Sequence, residues 1–359
     1  MRKRVAVVFG GRSAEHEVSV ISARSVLAAL DPARFEAVPI GVTKTGRWVL
    51  LPAAPPPLPE GGLAEVAEGT DVALDQRPGA RELVASDGTR IAVDVVFPVL
   101  HGPFGEDGTI QGFLETLGVP YVGAGVLASA VGMDKAMQKA VLRDAGIPVV
   151  EHEVVHEREW REDAEAVEAR AAHLGSPVFV KPAGLGSSVG VTRVEDASGL
   201  GGALDLAFRH GRKALVERAA LGAREIECAV LGNDDPVASL AGEIVPRGHA
   251  FYDYEAKYLD AGGADLVVPA DLPAATLADV QRLAIGAFRA IDCAGMARVD
   301  LFLGRDGSLV VNEVNTIPGF TPISMYPKLW EASGLAYRDL LSRLLDLAEE
   351  RAASEAARS

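Results

Sequence analysis

Four polar residues recur at alternate positions in two apolar segments near the end of the chain. Arg298 and Asp300 lie in GMARVDLFLG, and Glu313 and Asn315 lie in SLVVNEVN. Valine and leucine dominate both segments, and the Asp-Gly pair at 306–307 between them is the strongest short signal for a β-hairpin. Because strand side chains alternate between two faces, a two-residue loop at 306–307 places all four polar residues on one face.

This predicted face could bind a hard cation. The two-residue loop sets Asp300 opposite Glu313 and Arg298 opposite Asn315, and like charges directly opposite each other repel. A positive group should therefore lie between the two carboxylates. Carboxylate and amide oxygens suit Mg²⁺, which takes few carboxylates and completes its shell with water and substrate phosphates. The alternative is a solvated polar face on which Arg298 is the counter-ion.

A glycine-rich segment could cover phosphate groups. Lys181 ends an apolar strand and is followed by PAGLGSSVG, which contains Ser187 and Ser188. Glycines let backbone amides approach a phosphate, and the lysine supplies charge. The chain has no G-x-x-x-x-G-K-[ST] sequence, so we predict a flexible cover of the kind seen in kinases and not a Walker loop. The alternative is an ordinary flexible hairpin.

A second candidate cover spans residues 249–270, where Lys257 and Tyr258 belong to a compact aromatic cluster in a polar, glycine-containing loop. The alternative is a tyrosine cluster that covers the edge of a core. Lys135 follows Asp134 at a predicted helix start, and by itself it resembles an ordinary surface lysine.

Two further candidates lie near the start of the chain. Glu15 falls in the first turn of a predicted helix, where a carboxylate gains about 0.3 to 1 kcal/mol from the helix dipole, so capping is an alternative role. His101 follows a buried strand, at the end of the strand where open α/β sheets bind ligands. A lone histidine in such a place is more often structural.

The elements that position these residues predict an α/β protein of several domains. With 359 residues the chain can form two or three domains. It opens with a β-α-β pattern, and we predict domain boundaries at 1–125, 126–217 and 218–359. The Glu- and Arg-rich stretch 157–174 is predicted to be one surface helix, VPYVGA a short strand, and the Pro-rich residues 52–62 an exposed loop.

Composition narrows the classes of function. A net charge of −15 argues against nucleic-acid or anionic-membrane partners, which require basic surfaces. Two distant cysteines favour a reducing compartment. The opening MRKRVAVVFGG has too short an apolar run for an export signal, and no stretch approaches the roughly 18 apolar residues that span a bilayer. We therefore expect a cytoplasmic protein.

Seven ordered segments together resemble one family. The chain is similar to the D-alanine:D-alanine ligases of the ATP-grasp superfamily across residues 3–345, and residues 50–90 are its least family-like part. The segments are GGRSAEHEVS, VLHGPFGEDGTIQG, MDK, KPAGLGSSVG, FYDYEAKY, GMARVD and NEVNTIPGFTPISMYP. The resemblance implies an ATP-grasp fold with a Rossmann-like N-terminal substrate-binding domain, a central lid domain with the glycine-rich loop, and a C-terminal domain with the hairpin.

The resemblance also implies roles for individual residues. Asp300, Glu313 and Asn315 would hold two Mg²⁺ ions, for which Mn²⁺ is a possible substitute, and Arg298 would stabilise the tetrahedral intermediate. Glu217 would mark the adenine-binding hinge, and Glu225 would bind the ribose. The residues expected at the nucleotide are Lys135, Lys181, Ser188, Glu217, Glu225 and Lys257.

Further residues are expected around the two amino acids. Ser187 and Tyr258 would join Glu15 in a hydrogen-bonded set that ties the two covers over the site. Glu15 would pair with the ammonium of the first D-alanine. The residues expected to bind D-alanine are Glu15, His101, Gly319, Ser324 and Met325.

The activity implied is ATP-dependent formation of D-alanyl-D-alanine through an acyl phosphate, for peptidoglycan precursors, by a homodimer. Activation by a monovalent cation stays open, and so does the identity of the base that deprotonates the ammonium group of the second D-alanine. Alternatives are a D-alanine:D-lactate ligase, a small-molecule kinase on the same nucleotide machinery, and a nucleotide-binding regulator. The metal carboxylates and Arg298 disfavour the regulator, and the intact FYDYEAKY segment disfavours the depsipeptide ligase.

Overall fold

The computed structural model describes residues 2–51, 65–77, 79–187, 189–246, 264–321 and 323–358. Within these ranges, three β-sheets follow one another along the chain, and helices pack against each of them. The predicted α/β class is therefore confirmed. The Pro-rich stretch 52–62 lies outside the described residues.

The first sheet contains seven described strands in the order β6-β5-β4-β3-β2-β1-β7. They are β1 (Lys3–Gly10), β2 (Phe35–Val42), β3 (Trp48–Leu50), β4 (Thr70–Leu74), β5 (Glu82–Ala85), β6 (Arg90–Ala92) and β7 (Val95–Val99). Helices α1 (His16–Ala29) and α2 (Thr109–Thr116) belong to this unit. The predicted strand VPYVGA is reduced to one bridge between Val96 and Tyr121.

Parallel pairing in this sheet brings two predicted residues to one edge. The central strand β1 pairs in parallel with both β2 and β7, and its residues from Val5 to Gly10 are buried. Buried parallel strands read as continuous apolar runs, which is the pattern in RVAVVFGG. Because β1 and β7 end at the same edge, Glu15 after β1 and His101 after β7 lie at that edge.

The second sheet is antiparallel in the order β10-β9-β11-β8. Its elements are β8 (His152–His156), α5 (Glu157–Glu162), α6 (Ala164–Ala171), β9 (Val178–Pro182), β10 (Thr192–Val194), α7 (Leu200–Phe208) and β11 (Lys213–Arg218), with a 3₁₀ turn at Ala172–Leu174. The prediction of one helix over 157–174 is wrong. Asp163 interrupts it, because its side chain accepts from the Ala166 N–H at 3.0 Å and starts α6 as an N-cap.

The third sheet carries the predicted hairpin and is antiparallel in the order β14-β13-β12-β15-β16. Its strands are β12 (Arg224–Gly232), β13 (Val237–Pro246), β14 (Ala264–Val267), β15 (Gly295–Leu303) and β16 (Leu309–Asn315). The helices around it are α3 (Val126–Met133), α4 (Lys135–Asp144), α8 (Ala274–Ala290), α9 (Met325–Ala332) and α10 (Tyr337–Ala356).

Shared packing joins these units. Helices α3 and α4 pack against β16, and Leu142 belongs to the same buried cluster as Val311 and Val314. Helix α10 packs against β7 and β15, and the Arg351 guanidinium lies 4.3 Å from the centre of the Tyr121 ring. No helix among the described residues is long and apolar enough to cross a membrane.

Candidate active site

The hairpin formed by β15 and β16 places the four predicted residues as expected. Asp300 lies opposite Glu313, and Arg298 lies opposite Asn315. All four side chains are half-buried and line one cavity of about 440 Å³ between the N-terminal and C-terminal units. The alternation in the sequence therefore identified the face of the sheet that lines this cavity.

The loop of the hairpin is longer than predicted. The Gly304 N–H donates to the Ser308 carbonyl at 2.8 Å, which closes a three-residue loop over 305–307. Gly307 has φ +83°, a conformation that glycine adopts readily. The longer loop shifts the register by one position, and a bulge at Asn312 restores it before Asp300 meets Glu313. The predicted pairing is right although the predicted loop is wrong.

Arg298 is the positive group nearest to Asp300. Its Nε and Nη2 donate to the two Asp300 carboxylate oxygens, each at 2.7 Å, and its Nε is 3.1 Å from Glu227 Oε2. Burial alone would lower the pKa of Arg298, but the charges of Asp300 and Glu227 outweigh it and raise that pKa. The guanidinium is therefore fixed and charged at the centre of the cavity.

Sequence reasoning missed Glu227. This residue lies on β12 directly beside Asp300, and its side chain is buried. Three carboxylates, from Glu227, Asp300 and Glu313, thus lie in a row across neighbouring strands. The i, i+2 spacing of Glu225 and Glu227 in REIECAVLG repeats the pattern of the hairpin and could have indicated it.

Lys135 lies close to the second carboxylate of the hairpin. Its Nζ is 3.2 Å from Glu313 Oε2 and donates to the Leu185 carbonyl of the glycine-rich loop at 2.8 Å. Burial would lower the pKa of Lys135, but the Glu313 charge outweighs it and raises that pKa. The Asn315 amide donates to Asp300 Oδ2 at 2.9 Å. The predicted site residues are therefore brought together with cations beside both carboxylates.

The donor set fits Mg²⁺ bound jointly with a phosphate ligand. Among the residues that the structure describes, no three His, Cys, Asp or Glu side chains form a complete metal site. Asp300, Glu313 and Asn315 offer two carboxylates and an amide on one face, which leaves coordination positions for phosphate oxygens and water. This oxygen-only set suits a hard cation and not Zn²⁺ or copper.

On the opposite side of the cavity, Glu15 contacts the glycine-rich loop. It directly precedes α1, its side chain is 8% exposed, and that side chain makes no capping hydrogen bond to the helix. The Ser187 hydroxyl donates to Glu15 Oε1. A Cβ at Gly102 would lie 2.7 Å from Glu15 Oε2, and Gly102 has φ +75°, so the carboxylate needs glycine at this turn.

His101 is buried beside this carboxylate. Its Nε2 is 3.1 Å from the Ser22 hydroxyl of α1, and the same hydroxyl accepts from the Phe320 N–H at 3.3 Å. Burial lowers the pKa of His101 more than the Glu15 charge raises it, so the ring is neutral at neutral pH. A neutral imidazole can donate one hydrogen bond and accept another, and it does not repel an ammonium group.

Glu106 is a second site residue that sequence reasoning passed over, although it lies in the quoted segment VLHGPFGEDGTIQG. Its carboxylate accepts from the Gly102 N–H at 2.7 Å and lines the same cavity as Glu15. Burial and the Glu15 charge raise the pKa of Glu106 well above its ordinary value. The cavity thus holds two neighbouring carboxyl groups, one of which readily keeps a proton.

We expect Glu106→Gln to stabilise the ligand-free protein at neutral and alkaline pH. The folded-state pKa of Glu106 is raised, so its favourable contribution is complete below the unfolded-state pKa and is lost as the pH rises through the folded-state pKa. An uncharged glutamine avoids that loss. Thermal melts should coincide near about pH 4 and show the variant more stable near about pH 8. Parallel pH profiles of the two proteins would contradict this role.

Gly319, Ser324 and Met325 lie together at the far end of the cavity. Ser324 precedes α9, and its Oγ accepts from the Thr321 N–H at 2.9 Å. A Cβ at Gly319 would lie 2.6 Å from Ser324 Oγ, so a larger residue there would displace the Ser324 hydroxyl. The N-terminus of α9 carries the positive end of the helix dipole, which favours a carboxylate.

A second cavity, of about 360 Å³, adjoins the first on the side of the second sheet. Lys135, Lys181, Glu217 and Glu225 line it, together with apolar groups such as Phe179. The two cavities share the lining residues Gly186, Ser187, Glu225, Phe302, Asn312 and Glu313. A ligand that extends from one cavity into the other passes Glu313. Ser188, Lys257 and Tyr258 lie outside the described residues.

Comparison with known proteins identifies the family. A family model described as the D-ala D-ala ligase N-terminus matches residues 4–124, and one described as the D-ala D-ala ligase C-terminus matches residues 141–346. A curated D-alanine–D-alanine ligase from Thermoanaerobacter sp. (strain X514) is 51% identical over 353 residues, which are 97% of each chain.

Two solved structures share the fold over nearly the whole chain. The D-alanine-D-alanine ligase from Coxiella burnetii has a TM-score of 0.87 and 38% identity, and the match covers 99% of this chain and 96% of that one. The VanG D-Ala:D-Ser ligase from Enterococcus faecalis has a TM-score of 0.84 and 34% identity, and the match covers 97% of this chain and 100% of that one. The fold is that of an ATP-grasp enzyme. Within that class, the chain belongs to the D-alanine–D-alanine ligase family.

Proposed function

We infer that this enzyme joins two molecules of D-alanine into D-alanyl-D-alanine and converts ATP to ADP and phosphate, as a step toward peptidoglycan precursors. One observation carries the proposal: a helix N-terminus, a fixed guanidinium and a buried carboxylate converge in one cavity beside a lysine-lined second cavity. The 51% identity to a curated ligase over 97% of the chain supports the choice of substrate.

Each half of the first cavity suits one amino acid. The Glu15 carboxylate binds the ammonium of the first D-alanine, with neutral His101 beside it. The N-terminus of α9, with Ser324 and Gly319, binds the carboxylate of the second D-alanine. Between them lies Arg298, next to the carbon at which the peptide bond forms. This order places the nucleophilic amine of the second substrate toward the carboxyl group of the first.

The chemistry has two transfers. The carboxylate of the first D-alanine attacks the γ-phosphorus of ATP and ADP leaves. The neutral amine of the second then attacks the acyl carbon, phosphate leaves, and the nitrogen loses a proton as the amide forms. Arg298 stabilises the negative oxygen that develops on the acyl carbon. Two Mg²⁺ ions held by Asp300, Glu313 and Asn315 would neutralise phosphate charge during phosphoryl transfer.

The glycine-rich loop and the second candidate cover, residues 249–270, exclude water from the site. Acyl phosphates hydrolyse in water, and a closed loop also strengthens the electrostatic interactions inside the site. The hydrogen bond from Ser187 to Glu15 ties the glycine-rich loop to the substrate-binding edge of the first sheet. We propose that Tyr258 joins this pair from the second cover, and that Ser188 and Lys257 contact the ATP phosphates.

Other expectations from the sequence complete the proposal. Lys135 and Lys181 bind ATP phosphates, the chain segment after Glu217 receives the adenine, and Glu225 binds the ribose. The domain limits are 1–125, 126–217 and 218–359. We propose a cytoplasmic homodimer in which Mn²⁺ can replace Mg²⁺; activation by a monovalent cation stays open.

The test is to incubate the purified protein with Mg·ATP and D-alanine, with or without D-lactate or D-serine, and to identify products by mass while phosphate release is followed. We expect D-alanyl-D-alanine in step with phosphate. D-alanyl-D-lactate as the main product would identify a depsipeptide ligase. D-alanyl-D-serine as the main product would identify a D-Ala:D-Ser ligase, the activity named for the Enterococcus faecalis structure. A stable phosphorylated product would indicate a kinase.

A further inference from the structure

Lys139 is a fully buried lysine on α4, one turn after Lys135. Its side chain has 0% exposure, and its Nζ donates to the Asn312 carbonyl at 2.8 Å. Its Nζ also lies 3.2 Å from Glu217 Oε1. Lysine is almost never fully buried unless its charge is compensated.

The partner of Lys139 is shared with a second lysine. Glu217 Oε2 lies 2.7 Å from the Lys181 Nζ, so one carboxylate faces two ammonium groups. Glu217 Oε1 makes no hydrogen bond within the described residues, so the nearby charge of Lys139 compensates it. Lys181 also lies 3.5 Å from the side-chain oxygen of Asn312 and lines the second cavity. The three ionised groups together carry one net positive charge.

We propose that Lys139 is a positioning residue that neutralises Glu217 from behind, so that the Lys181 ammonium keeps its charge available for a nucleotide phosphate. The proposal rests on the proposed function, in which ATP occupies the second cavity. Lys139 does not line that cavity and acts only through Glu217 and Lys181. Without it, Lys181 and Glu217 would form a neutral pair that attracts phosphate weakly.

The electrostatics of the cluster agree with this arrangement. Burial alone would raise the pKa of the Glu217 carboxyl, but Lys139 and Lys181 outweigh it and lower that pKa. Burial lowers the pKa of Lys139 to about 8, although Glu217 opposes the shift. Lys139 is therefore mostly charged at neutral pH. A carboxylate that faces two cations interacts less strongly with each of them than it would with a single cation.

A purely structural role for Lys139 makes a different prediction, and the neighbouring Gln138 provides the comparison. Gln138 is equally buried on α4, its Nε2 donates to the Val314 carbonyl at 3.0 Å, and its Oε1 accepts from the Val314 N–H at 3.0 Å. It anchors α4 to β16 without charge. Gln138→Met should therefore destabilise the protein and leave nucleotide affinity unchanged.

The experiment measures ADP binding by isothermal titration calorimetry, together with KM for ATP, kcat and the melting temperature. We expect Lys139→Met to weaken ADP binding and raise KM for ATP by about tenfold or more, because Glu217 then neutralises more of the Lys181 charge that faces the phosphate. The value of kcat should change less. Adenosine has no phosphate groups, so Lys139→Met should bind adenosine within about threefold of wild type.

Adenosine separates the two roles. If Lys139 only supports the fold of the nucleotide site, Lys139→Met weakens adenosine binding as much as ADP binding, and that result overturns the proposal. ADP affinity in Lys139→Met equal to that of wild type also overturns it. A wild-type protein that does not bind ADP would instead refute the proposed function, and with it the role of Lys139.

A folding failure of Lys139→Met leaves a decisive comparison. Lys139→Gln removes the same charge but keeps an amide donor for the Asn312 carbonyl, and it should also weaken ADP binding by about tenfold or more. Wild-type ADP affinity in a folded Lys139→Gln variant would overturn the proposed role of Lys139.

Discussion

Replacing Arg298 with lysine should lower kcat for dipeptide formation by about 10²- to 10³-fold, the usual effect of losing one donor to a developing oxyanion. Lysine keeps the positive charge beside Asp300 and Glu227 but cannot reproduce two parallel N–H donors from a planar group. Arg298 lines the first cavity and not the second, so KM for ATP should change little. Steady-state kinetics with varied D-alanine and ATP measure both effects.

The matched control is Arg224→Lys on the same sheet. Arg224 makes an equivalent two-point contact with Glu243, at 2.8 and 2.6 Å, and lines neither cavity. Its replacement should leave kcat near the wild-type value. If Arg298→Lys and Arg224→Lys show the same small effect, Arg298 has no part in the acyl transfer, and its contacts serve only to balance buried carboxylates.

Replacing Glu313 with glutamine should nearly abolish turnover, by about 10³-fold, because stabilisation of phosphate charge by a metal is worth several kcal/mol. Glutamine has the same shape and can still accept a hydrogen bond from Lys135, so the fold should persist. It binds Mg²⁺ far more weakly than a carboxylate does. Phosphate release measured against Mg²⁺ concentration should show low activity and a raised Mg²⁺ requirement.

Glu243→Gln on β13 provides the control for this substitution. Glu243 also faces an arginine on the third sheet but lies away from the hairpin. Its loss should alter stability and leave the Mg²⁺ dependence unchanged. Near-normal activity of Glu313→Gln at saturating Mg²⁺ would refute the proposed metal role. Melting temperatures of both variants distinguish a defect in binding from a loss of fold.

The sequence alone determined the local features of this enzyme. Period-two alternation identified the face that carries Arg298, Asp300, Glu313 and Asn315, since strand geometry fixes that alternation. The β-α-β pattern at the start of the chain predicted β1, α1 and β2, and the structure pairs β1 with β2 in parallel. The ordered motifs indicated the family, which the family models and relatives confirm. These inferences need only short-range geometry or an ordered pattern of residues.

Only the tertiary structure decided which elements lie side by side. The sequence showed Glu227, Glu106 and Lys139 but gave no measure of their distance from the hairpin, because pairing of β12 with β15 and packing of α4 on β16 are contacts between distant segments. The bulge at Asn312 was likewise absent from the prediction, and it restores the pairing of Asp300 with Glu313 after the longer loop has shifted the register. Alternation assigns a residue to one face of its own strand, whereas the charges it meets there come from strands and helices elsewhere in the chain.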